Sequence, residues 1–517
     1  MAMLLRSLLL LLAGARIIGA TLAKRGVQTD LSGGFCRNFK FGATIADNVL
    51  YMTGLSGAQL SADNDTSNNY LVTLDLSAKV NLREPANYKL SLIPPEAPTA
   101  NGQAFWSNHE NTTLFSYGGR GPLQFRVKSM VLTTLMHHLA YVNVPELQAS
   151  YWLGGYQSSE TTSSIFDATK RYASGMVQFN TTTGEFKLLE APFTSVQEGA
   201  LVYIPAGEQG VLICIGGEVP SVQDGINAQL MPNPWTSIQV YDIAGGHWYN
   251  QSTTGTITPR TQFCAAAVHE PGSSSFQIYV ISGADLMTHT IIKGVSYLSI
   301  PSFTWYTAAG LTKGRMTHTC LNQNYGRQIF ILGGRQAWAD IGDAEAGCYK
   351  DAAFVYDAQS EIVLREYNPS LSGYVIPEET KEDLKAHQSP ERWADEKLRV
   401  LFTDLMNKTA SEAADEVRES SGSGDDSDAP STAAIAGGVV GGVAGVVIVV
   451  ALIYLFIRRR RKQRDEDADV VSELAGKNPS TSTRARARLS ELGTGESEMR
   501  FVHELDSGNG DVSRGGQ

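Results

Sequence analysis

Short apolar runs that end in glycine return along the N-terminal two thirds of the chain. They read Val49-Leu50-Tyr51-Met52-Thr53-Gly54, Leu114-Phe115-Ser116-Tyr117-Gly118-Gly119, Tyr151-Trp152-Leu153-Gly154-Gly155, Val211-Leu212-Ile213-Cys214-Ile215-Gly216-Gly217, Ile278-Tyr279-Val280-Ile281-Ser282-Gly283 and Ile329-Phe330-Ile331-Leu332-Gly333-Gly334. Each is too short for a helix and is punctuated as a strand is. Six copies of one pattern make an internal repeat.

Several copies are followed by an alternating strand, a polar turn residue and a large apolar residue six positions further on. The pairs are Asn180 with Phe186, Asp242 with Trp248, Ser299 with Trp305 and Asp357 with Val363, and Asp75 begins a fainter version. The polar side chain can bond the turn backbone while the residue opening the next strand packs on the apolar one, so each pair predicts a hairpin. The glycines let a strand end close to neighbouring backbone where a Cβ would collide.

Strand, Gly-Gly, strand, polar turn and aromatic, at a period of about 50 residues, resemble the kelch repeat. The resemblance covers about residues 30 to 369 and implies an all-β fold, a propeller of six blades with seven as the alternative. A sandwich rich in glycine turns is the competing architecture. The key glycines are Gly118, Gly119, Gly154, Gly155, Gly216, Gly217, Gly283, Gly333 and Gly334. From Gly119 to Gly155 the spacing is too short for a full blade, which marks an irregular one. Ring closure through one shared blade would bring Phe39–Thr53 to Phe354–Tyr367.

Two longer apolar segments set a topology. Residues 1–23, with Arg6, the block Leu8 to Leu12, and small residues at Ala20 and Ala23, have the layout of a secretory signal peptide. Residues 433–457 carry no charge; 25 helical residues at ~1.5 Å each reach about 37 Å, enough to span a hydrocarbon layer of about 30 Å. Arg458, Arg459, Arg460, Arg461, Lys462 and Arg464 follow at once, so the positive-inside rule predicts a single-pass type I protein of the plasma membrane with its N-terminal part outside. Gly437, Gly441 and Gly445 form a strip through which two such helices could associate. The predicted organisation is therefore signal peptide 1–23, propeller 24–369, acidic stalk 370–432 with a short helix near 390–406, span 433–457 and disordered cytoplasmic tail 458–517.

Composition sharpens this picture. Fifty glycines against 19 prolines suit a turn-rich β protein, and a net charge of −11 argues against nucleic acid as a partner. A secretory route predicts glycosylation and oxidised cysteines. Sequons stand at Asn64, Asn111, Asn180, Asn250 and Asn407. Cys36, Cys214, Cys264, Cys320 and Cys348 all precede the span; Cys320 with Cys348 is the expected pair because a short excursion joins them.

Catalytic signals are sparse. Kelch propellers include galactose oxidase, whose copper site uses an adjacent Tyr-His pair that this chain lacks. His289 and His318 share a Met-Thr-His context that the repeat itself would generate, and His137-His138 has no carboxylate at ligand spacing. No nucleophile elbow, zinc-protease helix or phosphate loop occurs. The expectation is a non-catalytic propeller without metal or cofactor that binds a protein or glycan at the cell surface or wall, in an architecture resembling the kelch-repeat membrane proteins of filamentous fungi. A membrane-tethered oxidase or hydrolase acting on carbohydrate is the alternative.

Overall fold

The computed structural model describes residues 41–54, 70–93, 101–120, 140–159, 161, 165–167, 169–222, 226–338, 353–371, 373–403, 405 and 500–501. Signal peptide, span, basic cluster, glycine strip and nearly all of the tail lie outside them, as do Asn64, Asn407, Cys36, Cys348 and His137-His138. Among the described residues no helix is long and apolar enough to cross a membrane.

Five four-stranded antiparallel sheets follow one another along the chain, each built of strands in chain order, with short extra strands inserted within the first three. Blade 1 comprises Gly42–Ala46, Val49–Thr53, Tyr70–Asp75 and Tyr88–Leu92; blade 2 comprises Ala140–Val144, Ala149–Leu153, Met176–Asn180 and Phe186–Leu189. Blade 3 comprises Ala200–Ile204, Val211–Ile215, Ser237–Asp242 and His247–Ser252; blade 4 comprises Cys264–His269, Phe276–Ile281, Val295–Ile300 and Thr304–Ala308. Blade 5 comprises Thr319–Leu321, Gln328–Leu332, Ala353–Asp357 and Ile362–Leu364. Between blades 1 and 2 stands a hairpin, Asn101–Ser107 with Thr113–Arg120, to which Arg500–Phe501 adds a two-residue parallel strand. The first strand of each unit touches that of the next, and blade 5 touches blade 1, so the ring is closed.

All six glycine-terminated runs are second strands, and all of the polar-turn pairs join a third strand to a fourth. Asn180 Oδ1 accepts from the amides of Thr182 (2.9 Å) and Thr183 (2.8 Å), and Asp75 Oδ1 accepts from the Ser77 amide (2.9 Å). Across the hairpins Phe186 packs on Phe179 with centroids 4.7 Å apart, and Trp248 on Tyr241 at 4.9 Å. Second strands such as Val211–Ile215 and Gln328–Leu332 are buried at every position because another sheet covers each face. Fourth strands such as His247–Ser252 alternate, as rim strands should.

One apolar cluster fills each junction of the ring. Leu71 meets Phe105 and Leu114 between blade 1 and the hairpin, and Trp106 stacks on Trp152 at 6.0 Å between the hairpin and blade 2. Further clusters join blade 2 to 3, 3 to 4 and 4 to 5, and Phe330 and Leu332 of blade 5 pack on Leu50 and Met52 of blade 1. Each fully buried aliphatic or aromatic side chain contributes about 1.5–3 kcal/mol, so these junctions hold the ring together.

Three expectations need correction. Six blades were expected; among the described residues there are five four-stranded sheets, and the hairpin Asn101–Ser107 with Thr113–Arg120 holds the remaining place in the ring. The ends of the repeat region do meet, but they share no blade. Blade 1 is complete in itself, and contact is made by the two-residue ladder of Glu366–Tyr367 with Val80–Asn81 and by the cluster containing Tyr367.

The stalk does not begin at residue 370. Helix Glu378–Ala386 and a second helix starting at residue 396 lie against the propeller. Leu398 and Phe402 are fully buried between blades 3 and 4, and Phe402 meets Phe303 edge-on at 5.5 Å. The expected helix near 390–406 thus serves as a strap, with its apolar face in the core. Helix 378–386 was not foreseen: Thr380 is its one buried residue, and it is held by a hydrogen bond between the hydroxyls of Tyr297 and Thr380 (2.5 Å) and one from Tyr306 to Asp383.

Candidate functional site: the central channel

The first strands enclose a cavity of about 700 Å³ along the ring axis. Its lining changes character from one end to the other.

At the entry of the first strands the backbone is bent into the left-handed region at Glu198 (φ 53°), Gln262 (φ 56°) and Thr317 (φ 56°). These residues are linked blade to blade: the Gln262 amide donates to Glu198 O (3.0 Å) and the Thr317 amide to Gln262 O (2.7 Å). The repeat glycines complete the linkage. The amide of Gly155 donates to Val196 O (2.9 Å) and that of Gly283 to Arg315 O (2.8 Å), so these second strands end against the segment that leads into the next blade. A Cβ on Gly154 would lie 2.0 Å from Val196 O, and one on Gly217 2.5 Å from Gln197 O. Only glycine permits that approach.

Two buried arginines brace the same end. Arg260 donates from Nη1 to the carbonyls of Gly294 (2.8 Å) and Ser282 (3.3 Å), and Arg315 donates from Nη1 to Gly333 O (2.8 Å). Burial pulls the Arg260 guanidinium down to about 10, which leaves it charged at neutral pH. Glu218 is also buried, accepting from Gln197 Nε2 (2.7 Å) and Thr261 Oγ1 (2.6 Å).

At the other end, where first strands turn into second strands, the lining is polar and open. Asp47, Asn48, Glu146 and Asn324 are exposed there, beside half-buried Tyr203, Gln323 and Tyr325. The loops are tied across the ring: Gln323 Nε2 donates to Asn48 Oδ1 (3.1 Å), Tyr367 OH donates to Gln323 Oε1 (2.7 Å), and the His269 amide donates to Tyr325 O (2.9 Å). Burial, then Tyr203 and then Glu146 push the Tyr325 phenol well above its ordinary value; burial and Glu146 raise Tyr203. Both phenols therefore stay protonated and can donate. Two carboxylates, amides and two phenols present hydrogen-bonding groups of both signs beside aromatic faces, a surface suited to a hydroxylated or peptidic ligand.

A third cluster sits in the channel wall between blades 4 and 5. Cys264 and Cys320 form a disulfide, with Cα atoms 5.4 Å apart, that ties together the first strands of the two blades. This replaces the expected pairing of Cys320 with Cys348. The 56-residue separation is about one repeat, and that equivalence, rather than nearness in sequence, was the usable signal. Cys214 is free and buried, and burial pushes its thiol up to about 12.

His318 belongs to the disulfide's surroundings. Its Nε2 faces Ile281 O at 3.1 Å, while Nδ1 is buried and makes no hydrogen bond. Burial, reinforced by Arg315 and opposed by the Ile281 carbonyl, lowers its pKa to about 3. His289, the other Met-Thr-His histidine, is exposed and stacks on Trp338 at 4.4 Å, so the two do not form one site.

Of the described sequons, Asn250 is exposed on the outer strand of blade 3. Asn180 uses only Oδ1 in its turn, and Asn111 (φ 55°) accepts from Ser107 Oγ at 3.3 Å.

No protein-family model matches the chain. A kelch repeat-containing protein of Arthroderma benhamiae is 27% identical to it over 429 residues, covering 68% of this chain and 60% of that protein. This chain folds as a kelch-type β-propeller. It spans about 60% of the length of that relative. Among solved structures, that of YjhT aligns with a TM-score of 0.42 and 12% identity over 63% of this chain and 97% of the other. Within the kelch-type repeat, the glycines sit at the blade-to-blade turn, and the arginine braces are a feature that pattern matching on glycine and aromatic residues missed.

Proposed function

We propose that this protein is a single-pass type I surface protein whose propeller binds a protein or glycan ligand at the open mouth of its channel, without catalysis. The mouth carries the reading: exposed carboxylates and amides beside Tyr203 and Tyr325, on loops fixed by cross-ring hydrogen bonds, form a pre-organised polar surface. The uncharged segment 433–457 and the basic cluster after it support the topology. A tail inside the cell could not also supply Arg500–Phe501 to the hairpin outside it, so the two arrangements are exclusive. Net backbone hydrogen bonds contribute about 1 kcal/mol each, whereas burying this segment's many Val, Ile, Leu and Phe side chains at about 0.3–0.6 kcal/mol apiece favours the span.

The test has two arms. Protease added to intact cells is expected to remove the propeller and spare an epitope on the tail; cleavage of the tail from outside would refute the topology. Solubilised full-length protein on glycan and cell-surface-protein arrays is expected to give hits that Asp47→Ala with Glu146→Ala weakens at least about tenfold, or about 1.4 kcal/mol. Unchanged affinity would move the ligand away from the mouth. Because Asp47 and Glu146 are carboxylates from different blades at one opening, turnover of a bound glycan would replace the binding role with hydrolysis.

A further inference from the structure

The wall of the channel holds two sulfurs and a ring nitrogen, from Cys264, Cys320 and His318, all within 4.8 Å of one another. As a disulfide the sulfurs cannot bind a divalent ion. Once reduced, the same three residues are a soft donor set with the spacing a single metal requires. We propose that Cys264, Cys320 and His318 form a thiol-gated zinc site, closed as a disulfide and opened by reduction.

Four observations support it. First, His318 is 5% exposed, and its Nδ1 makes no hydrogen bond, which is costly for a buried polar atom without a ligand. Second, the Ile281 carbonyl faces Nε2 and fixes that nitrogen as the protonated one, leaving the Nδ1 lone pair for a metal; such an outer hydrogen bond is what orients an imidazole ligand. Third, all three ligands line the channel, so an ion held by two thiolates and one imidazole keeps its fourth position for water from that space. Fourth, the donors come from rigid first strands or the residue entering one, with Thr317 pinned by Gln262 O at 2.7 Å, so the site needs no folding to assemble.

The chemistry balances with a dithiol reductant. Two electrons and two protons pass from the dithiol to the Cys264–Cys320 bond, giving two thiols and the oxidised dithiol. Zinc binding then displaces both thiol protons to solvent, and the two thiolates neutralise the ion. The site is independent of the ligand proposed at the channel mouth, since neither Asp47 nor Glu146 takes part.

The experiment uses the full-length protein with Cys36→Ser and Cys348→Ser, so that the one thiol left outside the cluster is Cys214, which is buried. It is reduced with a phosphine, desalted without oxygen and titrated with Zn²⁺ and, separately, with Co²⁺ as a spectroscopic probe. The expected result is one ion per chain, a cobalt spectrum with thiolate charge-transfer and tetrahedral ligand-field bands, and no binding before reduction. His318→Gln should weaken binding at least tenfold while the thiols of Cys264 and Cys320 remain titratable, and Cys264→Ser should abolish the charge-transfer bands. Equal affinity in His318→Gln, zinc binding to the oxidised protein, or no stoichiometric ion after reduction would each overturn the proposal. Near-ultraviolet circular dichroism guards against a trivial failure: a reduced protein that has lost its native spectrum and does not regain it with zinc also counts against the site.

Discussion

Asp357 closes the third strand of blade 5 with its carboxylate almost wholly buried, and Arg327 grips both oxygens at 2.6 Å. Burial alone would raise its pKa, but the guanidinium and the Ser360 hydroxyl outweigh that and hold it below the ordinary 3.8. A depressed folded-state pKa means that stability is present above the ordinary value and lost as pH falls through the folded one. Asp357→Asn should therefore cost about 2–3 kcal/mol in urea unfolding at pH 7, with the difference from wild type shrinking below about pH 4. Gly154→Ala tests the blade-to-blade turn: a left-handed φ of 67° and a Cβ in contact with Val196 O should cost at least about 2 kcal/mol. Cys214, with its thiol at about 12, should resist alkylation at pH 8 in the folded protein and react fully in denaturant. The turn glycines and polar turn residues were readable because each answers a local constraint. The cysteine pairing and the placement of His318 were not, because they depend on which strands the ring sets side by side.

Elements show the same division. Second strands announce themselves as continuous apolar runs because sheets cover both of their faces, and third-to-fourth hairpins show in a fixed six-residue offset. The second strap helix was legible through Trp393, Leu398, Leu401, Phe402 and Leu405, which the fold places in or against one core cluster. Helix 378–386 carries almost no apolar signal; its anchors are the Thr380 hydroxyl, Asp383 and the ion pair of Lys381 with Glu270 at 2.9 Å. Phe402→Ala should empty a site enclosed by Phe303 and Trp393 and lower stability by about 3–4 kcal/mol, seen as an earlier unfolding midpoint. Limited proteolysis should then cut first within 387–395.

At the scale of the molecule, the repeat foretold a ring, and five of its six glycine-terminated strands stand in the four-stranded sheets found among the described residues, because such a strand marks a second strand and says nothing of the two that follow. The Gly118-Gly119 copy belongs to the hairpin, which fills its junctions with Phe105, Trp106 and Leu114. Closure is the other property the repeat could not specify. Tyr367→Ala removes a buried ring from the junction of blades 5 and 1 and the hydroxyl bonded to Gln323. Amide exchange should accelerate in 42–53 and 328–332 and stay near wild type in 211–215.

Because every blade is assembled from neighbouring stretches of chain, the circle is fastened at one seam by side-chain packing and a pair of backbone rungs, like a split washer. Tension applied to the two ends should spring the washer at that gap before any sheet unravels, and rejoining the ends while cutting between two other blades should relocate the gap and leave the disc intact.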